Sequence, residues 1–391
     1  MKRVLPVIVI SQFFCTSLWF AGNAIMPDIV RVFHIAPSFL AHITSMVQLG
    51  FISGTLIFAL FTIADRFSPT KVFFTTSIIA AICNLGISLE GIDTGMLLFC
   101  RFLTGFFLAG IYPVGMKIAS DHYQKGLGRS LGFLVGALVL GTAFPHLLKT
   151  FTVDLPWKYV VYGTSILSVT GGSLMLLLVP DGPYRRPGQK IQFNAFHAGF
   201  KNSSFRAAAF GYFGHMWELY AFWAFVPVML STYLRYHPSA ELNISFLSFL
   251  IIGSGSVACV VSGLLSQIFG ARKIAAIALF ISGVCCLLSP LLLSCNSVYL
   301  LLGFLFIWGL AVIADSPLFS TLVAQNAPQE TRGTSLTIVN CIGFSITIIS
   351  IQLLNQISND HNGQFIYMLL AIGPLLGLIA LLAKKTAHKN E

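Results

Sequence analysis

FRAAAFGYFGHMWELYAFWAFVPVML, residues 205–230, is long and apolar enough to cross a lipid bilayer. Yet it carries a carboxylate, Glu218, with His215 one helical turn before it. At 1.5 Å per residue, Glu218 lies roughly 18 Å along a helix that begins near Arg206, about halfway through a hydrocarbon core about 30 Å thick. A carboxylate at that depth is costly, so it is expected to face other helices or a water-filled cavity and to have a function. A low-dielectric surrounding penalises the ionised acid, which suits Glu218 to carrying a proton, with His215 able to share or relay it. The bland alternative is a structural carboxylate bonded to a neighbouring helix.

Composition sets the class around this stretch. Only 9% of the 391 residues are charged and 56% are hydrophobic, too few charges to coat a soluble domain of this length. The formal net charge of +10 comes from basic residues placed singly between apolar runs, with no basic face, so a nucleic-acid partner is not expected. Eight cysteines show no CxxC spacing; seven fall inside apolar runs and read as small apolar filler, with neither a metal site nor a disulfide framework indicated. HExxH, G-x-S-x-G and GxxxxGK[ST] are all absent, so neither an enzyme nor an ATP-driven pump has its usual parts, and no cofactor is expected.

Twelve apolar segments follow one another: Val4 to Met26, Phe39 to Ile63, Val72 to Leu89, Met96 to Met116, Ser130 to Leu148, Tyr159 to Val179, Ala207 to Leu230, Ile244 to Ile268, Ile274 to Leu293, Val298 to Ala324, Ser335 to Ile357 and Phe365 to Ala383. Each is long enough to span. Segment one follows Lys2 and Arg3 but has no small-residue cleavage site, so it reads as a retained span. Connections on one side receive eighteen Lys and Arg and those on the other only four, which places both termini in the cytoplasm. The polar stretch PDGPYRRPGQKIQFNAFHAGFKN after segment six reads as a cytoplasmic linker. The expected architecture is an all-α membrane protein of twelve transmembrane helices: a six-helix bundle over residues 1–179, a linker over 180–203 and a second bundle over 204–391. Asp65 and Gln267, Pro113 and Pro317, and Leu131 and Leu336 pair at offsets of 202 to 205, the mark of an internal duplication.

The layout and its motifs resemble the major facilitator superfamily. The loop after segment two, ADRFSPTK, keeps Asp65 and Arg66 of that family's G-x-x-x-D-R-x-G-R-R/K signature. The loop after segment eight keeps Gly263, Gly270, Arg272 and Lys273. RFLTGFFLAGIYP in segment four resembles the family's membrane-embedded arginine motif, with Arg101, and GFLVGALVLGTAFPH in segment five loosely resembles a glycine motif of drug/proton antiporters. SLWFAGNAI, LVGALVLGTAFPHLL and VIADSPLFSTLVA resemble a bacterial branch often grouped with nitrate and cyanate porters. Segments two and eight contain no arginine of the kind that holds nitrate in such porters, which argues against that anion.

The resemblance implies a secondary transporter of the bacterial inner membrane, with segments one, four, seven and ten lining a central cavity. Helical spacing supplies Gln12, Thr16, Trp19 and Asn23 in segment one, Gln48 in segment two, Trp308 in segment ten and Asn340 in segment eleven, and Trp19, Trp217, Trp223 and Trp308 are candidates for cavity walls; all but Trp223 are taken as substrate-binding residues. Glu218, Asp315, His215 and Arg101 are the candidates for proton coupling. Asp315 could instead serve as counter-ion to a cationic solute, and Arg101 could bind an anionic one or pair with a carboxylate. By resemblance, Asp65, Arg66 and Arg272 form a conformational latch, with Asp65 near the positive N-terminal end of segment eleven. The expected partners are a small organic or amphipathic solute, protons and the bilayer, and the chain is expected to act as a monomer. A uniporter without proton coupling and a non-transporting sensor or assembly subunit are the competing readings.

Overall fold

The computed structural model describes residues 4–123, 127–152, 155–185, 199–328, 332–358 and 362–383. Both termini and most of the expected linker, residues 186–198, lie outside that set. Among the described residues every apolar segment is helical and none forms a strand. Eight helices there are long and apolar enough to cross a membrane: Phe39–Leu60, Thr94–His122, Ser130–Phe151, Lys158–Leu178, Ile244–Phe269, Ala271–Leu293, Val298–Asn326 and Arg332–Ile357. Val4–Thr16 and Ile366–Leu382 are shorter apolar helices. Segments three and seven form Pro69–Gly86, which contains Lys71 and Asn84, and Ser203–Tyr236, which contains Arg206, His215, Glu218 and Arg235. The latter, at 34 residues, runs further than the apolar stretch that announces it. The Asn202 side chain starts it by accepting from the Ser204 N–H at 2.8 Å.

The chain forms two compact units, one of residues Met1–Lys190 with Ser245–Ser256 and one of Ile191–Ile244 with Val257–Glu391. The grouping of Ser245–Ser256 with the first unit has no signal in the sequence.

Three segments that read as continuous spans are interrupted. Segment one breaks after Val4–Thr16 and resumes as Ala21–Ala24 and Met26–Phe33. Segment four breaks between Thr94–Leu108 and Tyr112–His122, and segment ten between Val298–Ala314 and Ser316–Asn326. Pro113 and Pro317 lie in the first turns of the resumed helices, where the missing N–H costs nothing. Segment twelve begins as a 3₁₀ turn, Ile366–Ala371, before Ile372–Leu382.

Within each unit, helices approach backbone to backbone at glycines. A Cβ on Gly105 would overlap the Val47 carbonyl, and one on Gly50 the Phe102 carbonyl, so segments two and four cross with nothing between them. In the second unit Gly214 and Gly373 meet the same way and bring segment twelve against segment seven. We expect Gly105→Leu to destabilise the protein by about 1–3 kcal/mol or more, since neither backbone can yield to the added side chain. A thermal-unfolding midpoint in detergent unchanged from the parent would contradict this crossing.

Candidate functional site

The second unit holds two buried carboxylates on different helices. Glu218 is 1% exposed. Its Oε1 accepts from Trp308 Nε1 at 2.6 Å and from Cys286 Sγ at 3.2 Å, and its Oε2 accepts from Ser282 Oγ at 2.9 Å. The Trp308 ring also lies 4.7 Å from that of Phe222, one turn beyond Glu218. Three donors from two neighbouring helices thus enclose one acid. Sequence reasoning named Trp308 as a cavity wall; here its indole N–H is a ligand of the carboxylate. Ser282 and Cys286 went unnamed, Cys286 because cysteines in this chain read as filler, a reading that its contact with Glu218 corrects. The spacing of Ser282, Cys286 and Ser289 along one face of segment nine is the signal that would have found them.

His215 serves the other acid. Its Nδ1 lies 2.8 Å from Asp315 Oδ1, with both side chains 1% exposed. His215 and Glu218 share a helix face, and the side-chain contacts of each go to different neighbours. Asp315 sits at the interruption of segment ten, where the chain is free to turn its side chain toward segment seven. The Tyr212 and Phe319 rings flank the imidazole, each centred 6.1 Å away, and Nε2 is buried without a hydrogen-bond partner. Among the described residues no Lys or Arg of the second unit is buried. Trp217 donates to the Leu369 carbonyl at 3.1 Å, and Asn340 is half-buried on Arg332–Ile357.

In the first unit Arg101 is fully buried, and its partners are not carboxylates. Nη2 donates to the Leu18 and Trp19 carbonyls at 3.1 and 2.6 Å, and Nη1 donates to Asn84 Oδ1 at 3.0 Å. Leu18 and Trp19 lie in the interruption of segment one, so the guanidinium supplies donors where the helix does not. Of the two readings offered for Arg101, pairing with a carboxylate is not what these contacts show. Asn84, unnamed from sequence, donates in turn to Val161 O, Thr164 Oγ1 and Ser165 Oγ at 3.3, 3.1 and 3.0 Å.

The polar stripe of segment one is buried inside the same unit. Thr16 turns its hydroxyl to the Gln12 carbonyl at 2.8 Å, Trp19 packs its ring 4.8 Å from Phe51, and Asn23 donates to Thr44 at 2.8 Å. The Gln12 amide has no hydrogen-bond partner on either atom, and Gln48 is buried. At the end of segment four, Lys117 Nζ lies 2.8 Å from Asp65 and 3.5 Å from Asp121. Arg185 ties the chain after segment six to this corner, donating to the Asp65 and Phe67 carbonyls at 3.0 and 2.6 Å. Arg66 is exposed, and Arg272, in the second unit, donates to the Leu381 carbonyl. Among the described residues no cluster of side chains suits a metal ion.

A family model described as Major Facilitator Superfamily matches residues 8–351. The niacin transporter NiaP of Acinetobacter baylyi is 30% identical over 162 residues, a match covering 35% of this chain and 36% of that transporter. This chain thus aligns with about a third of that relative's length. The human organic anion transporter MFSD10 (TETRAN) has a similar fold, with a TM-score of 0.77 over 97% of this chain and 99% of that one at 13% identity.

Replacing Arg101 tests its contact with the backbone. Arg101→Met leaves two backbone carbonyls and Asn84 Oδ1 without this donor, at about 1–3 kcal/mol for each group left unsatisfied. Arg101→Lys, a single ammonium in place of a planar fork, is expected to recover only part of the loss. Thermal-unfolding midpoints of the two variants should therefore fall in the order parent, Lys, Met. Equal midpoints for parent and Met would show that the interruption of segment one does not need the guanidinium.

Proposed function

The chain belongs to the Major Facilitator Superfamily and is a membrane transporter, and from that premise we propose that it moves a small organic or amphipathic solute by alternating access, driven by protons. In this reading the chain crosses the bacterial inner membrane twelve times with both termini in the cytoplasm, and Asp65, with Arg66 and Arg272, latches one of its states. The observation that carries proton coupling is the charge balance of the second unit. Glu218 and Asp315 are buried there with an imidazole but, among the described residues, no buried Lys or Arg. Buried acids are tolerated in hydrocarbon when protons can come and go. One proton moving down a membrane potential supplies about 2.3 kcal/mol per 100 mV, enough to make a single coupled group useful.

The niacin relative supports a small organic solute. The mixture of amides, hydroxyls and indoles in segments one, two, seven and ten suits such a solute better than a bare inorganic ion. Gln12, Thr16, Trp19, Asn23, Gln48, Trp217, Trp308 and Asn340 remain the substrate-binding set, with Arg101 holding segment one in shape beside them. The same negative excess also favours a second reading, in which a cationic solute takes the place of the proton at Asp315.

A thermal-shift screen of the purified protein against niacin and a metabolite and drug panel, at two pH values, identifies the solute. A ligand at 100 times its dissociation constant stabilises by about 2.7 kcal/mol. Proteoliposomes carrying a pH-sensitive dye then test coupling. The parent is expected to move protons with the solute, and the double variant Glu218→Gln/Asp315→Asn is expected not to. Solute uptake by the parent with no proton movement would establish a uniporter, and a solute-independent, pH-independent protein would favour the sensor reading.

A further inference from the structure

One flank of the first unit exposes Ile82, Leu85, Ile166 and Val169 within apolar spans, where they meet hydrocarbon, and it carries a groove. Segments three and six, Pro69–Gly86 and Lys158–Leu178, lie against each other there. Ser168 donates to the Ser77 carbonyl at 3.0 Å, Ser165 to the Ala81 carbonyl at 3.3 Å, and a Cβ on Gly172 would overlap the Ser77 hydroxyl. Beside that crossing, Leu85, Tyr162, Ser165, Ile166, Val169 and Thr170 bound an open hollow of about 350 Å³. Its hydroxyls are already engaged: Ser165 also accepts from Asn84 at 3.0 Å, and Thr170 donates to the Ile166 carbonyl at 2.8 Å. A buried water needs roughly two to four polar partners, whereas an apolar cavity of about 150 Å³ already holds a benzene ring. The hollow therefore suits a run of hydrocarbon chain and not water.

Position along segment six decides what that chain belongs to. At a rise of about 1.5 Å per residue, Tyr162 to Thr170 covers from about 6 to about 18 Å below Lys158, within one leaflet of a bilayer whose hydrocarbon core is about 30 Å thick. At the rim, the Tyr159 and Tyr162 rings pack edge to face with centres 6.0 Å apart, at the level where aromatic side chains meet lipid heads. Lys158 Nζ lies 3.8 Å from Glu90 Oε1, and the Glu90 side chain is almost fully exposed. So loose a surface pair contributes little, and each member is open to another partner. A phosphate suits Lys158, and an ammonium suits Glu90.

We propose that this flank binds one phospholipid, with an acyl chain in the groove between segments three and six and a head bearing both phosphate and ammonium at Lys158 and Glu90. In the topology proposed above it is a lipid of the outer leaflet. The inference needs the chain to lie in a membrane and is independent of the solute and of proton coupling.

Native mass spectrometry of the full chain, released gently from a membrane of phosphatidylethanolamine and phosphatidylglycerol, counts what stays bound. The parent is expected to retain one phosphatidylethanolamine per chain. Val169→Trp fills the hollow and is expected to lose it, whereas Leu177→Trp, also exposed on segment six but outside the hollow, is expected to keep it. Glu90→Gln is expected to retain phosphatidylglycerol as readily as phosphatidylethanolamine. Loss in both tryptophan variants, or in neither, would overturn the site, since the lipid would then belong to the general belt or lie elsewhere. Should Val169→Trp fail to fold, delipidated parent titrated with phosphatidylethanolamine in detergent decides the matter. Thermal stabilisation that saturates at one lipid per chain supports the proposal, and a rise without saturation refutes it. Solute uptake enters none of these readouts, so a negative result here leaves the transport reading untouched.

Discussion

Hydrocarbon offers no hydrogen bonds, so every interrupted helix and every buried charge in this protein must be answered from within its own unit. The contact of Arg101 with the Leu18 and Trp19 carbonyls answers one of each. Segment one breaks in the middle of a bundle, where water cannot reach the backbone, and a guanidinium from segment four donates to it. Asn84 holds the guanidinium from the other side and is itself bonded to segment six. One buried cation thereby links four segments.

The second unit answers the same constraint with the opposite sign. Segment ten is interrupted at Asp315 much as segment four is interrupted before Tyr112, and Pro113 and Pro317 occupy equivalent places. In the first unit the break carries no charge and the arginine lies further back. In the other the break itself carries the acid. The two units thus use a similar interruption differently: a basic group bound to backbone in the first, acidic groups bound to side chains in the second.

Much of this was open to reading from the sequence alone. Charge scarcity and apolar runs determine the membrane class and the helical segments, because hydrocarbon excludes almost any other arrangement. That Glu218 would be enclosed by other helices is an expectation from its place in an apolar stretch, and it is 1% exposed. The motifs around Asp65 and Arg101 were enough to suggest the family. Tertiary structure alone decided partnership. Helical periodicity places His215 and Glu218 on one face, but a face can be shared by several neighbours, and only the crossing of helices at contacts such as Gly214 with Gly373 sets which neighbour each side chain meets. So His215 meets Asp315, Glu218 meets Trp308, Ser282 and Cys286, and Arg101 meets the backbone. The physical reason is range: spacing along a chain is set by local geometry, whereas contact between helices depends on how closely two backbones can approach.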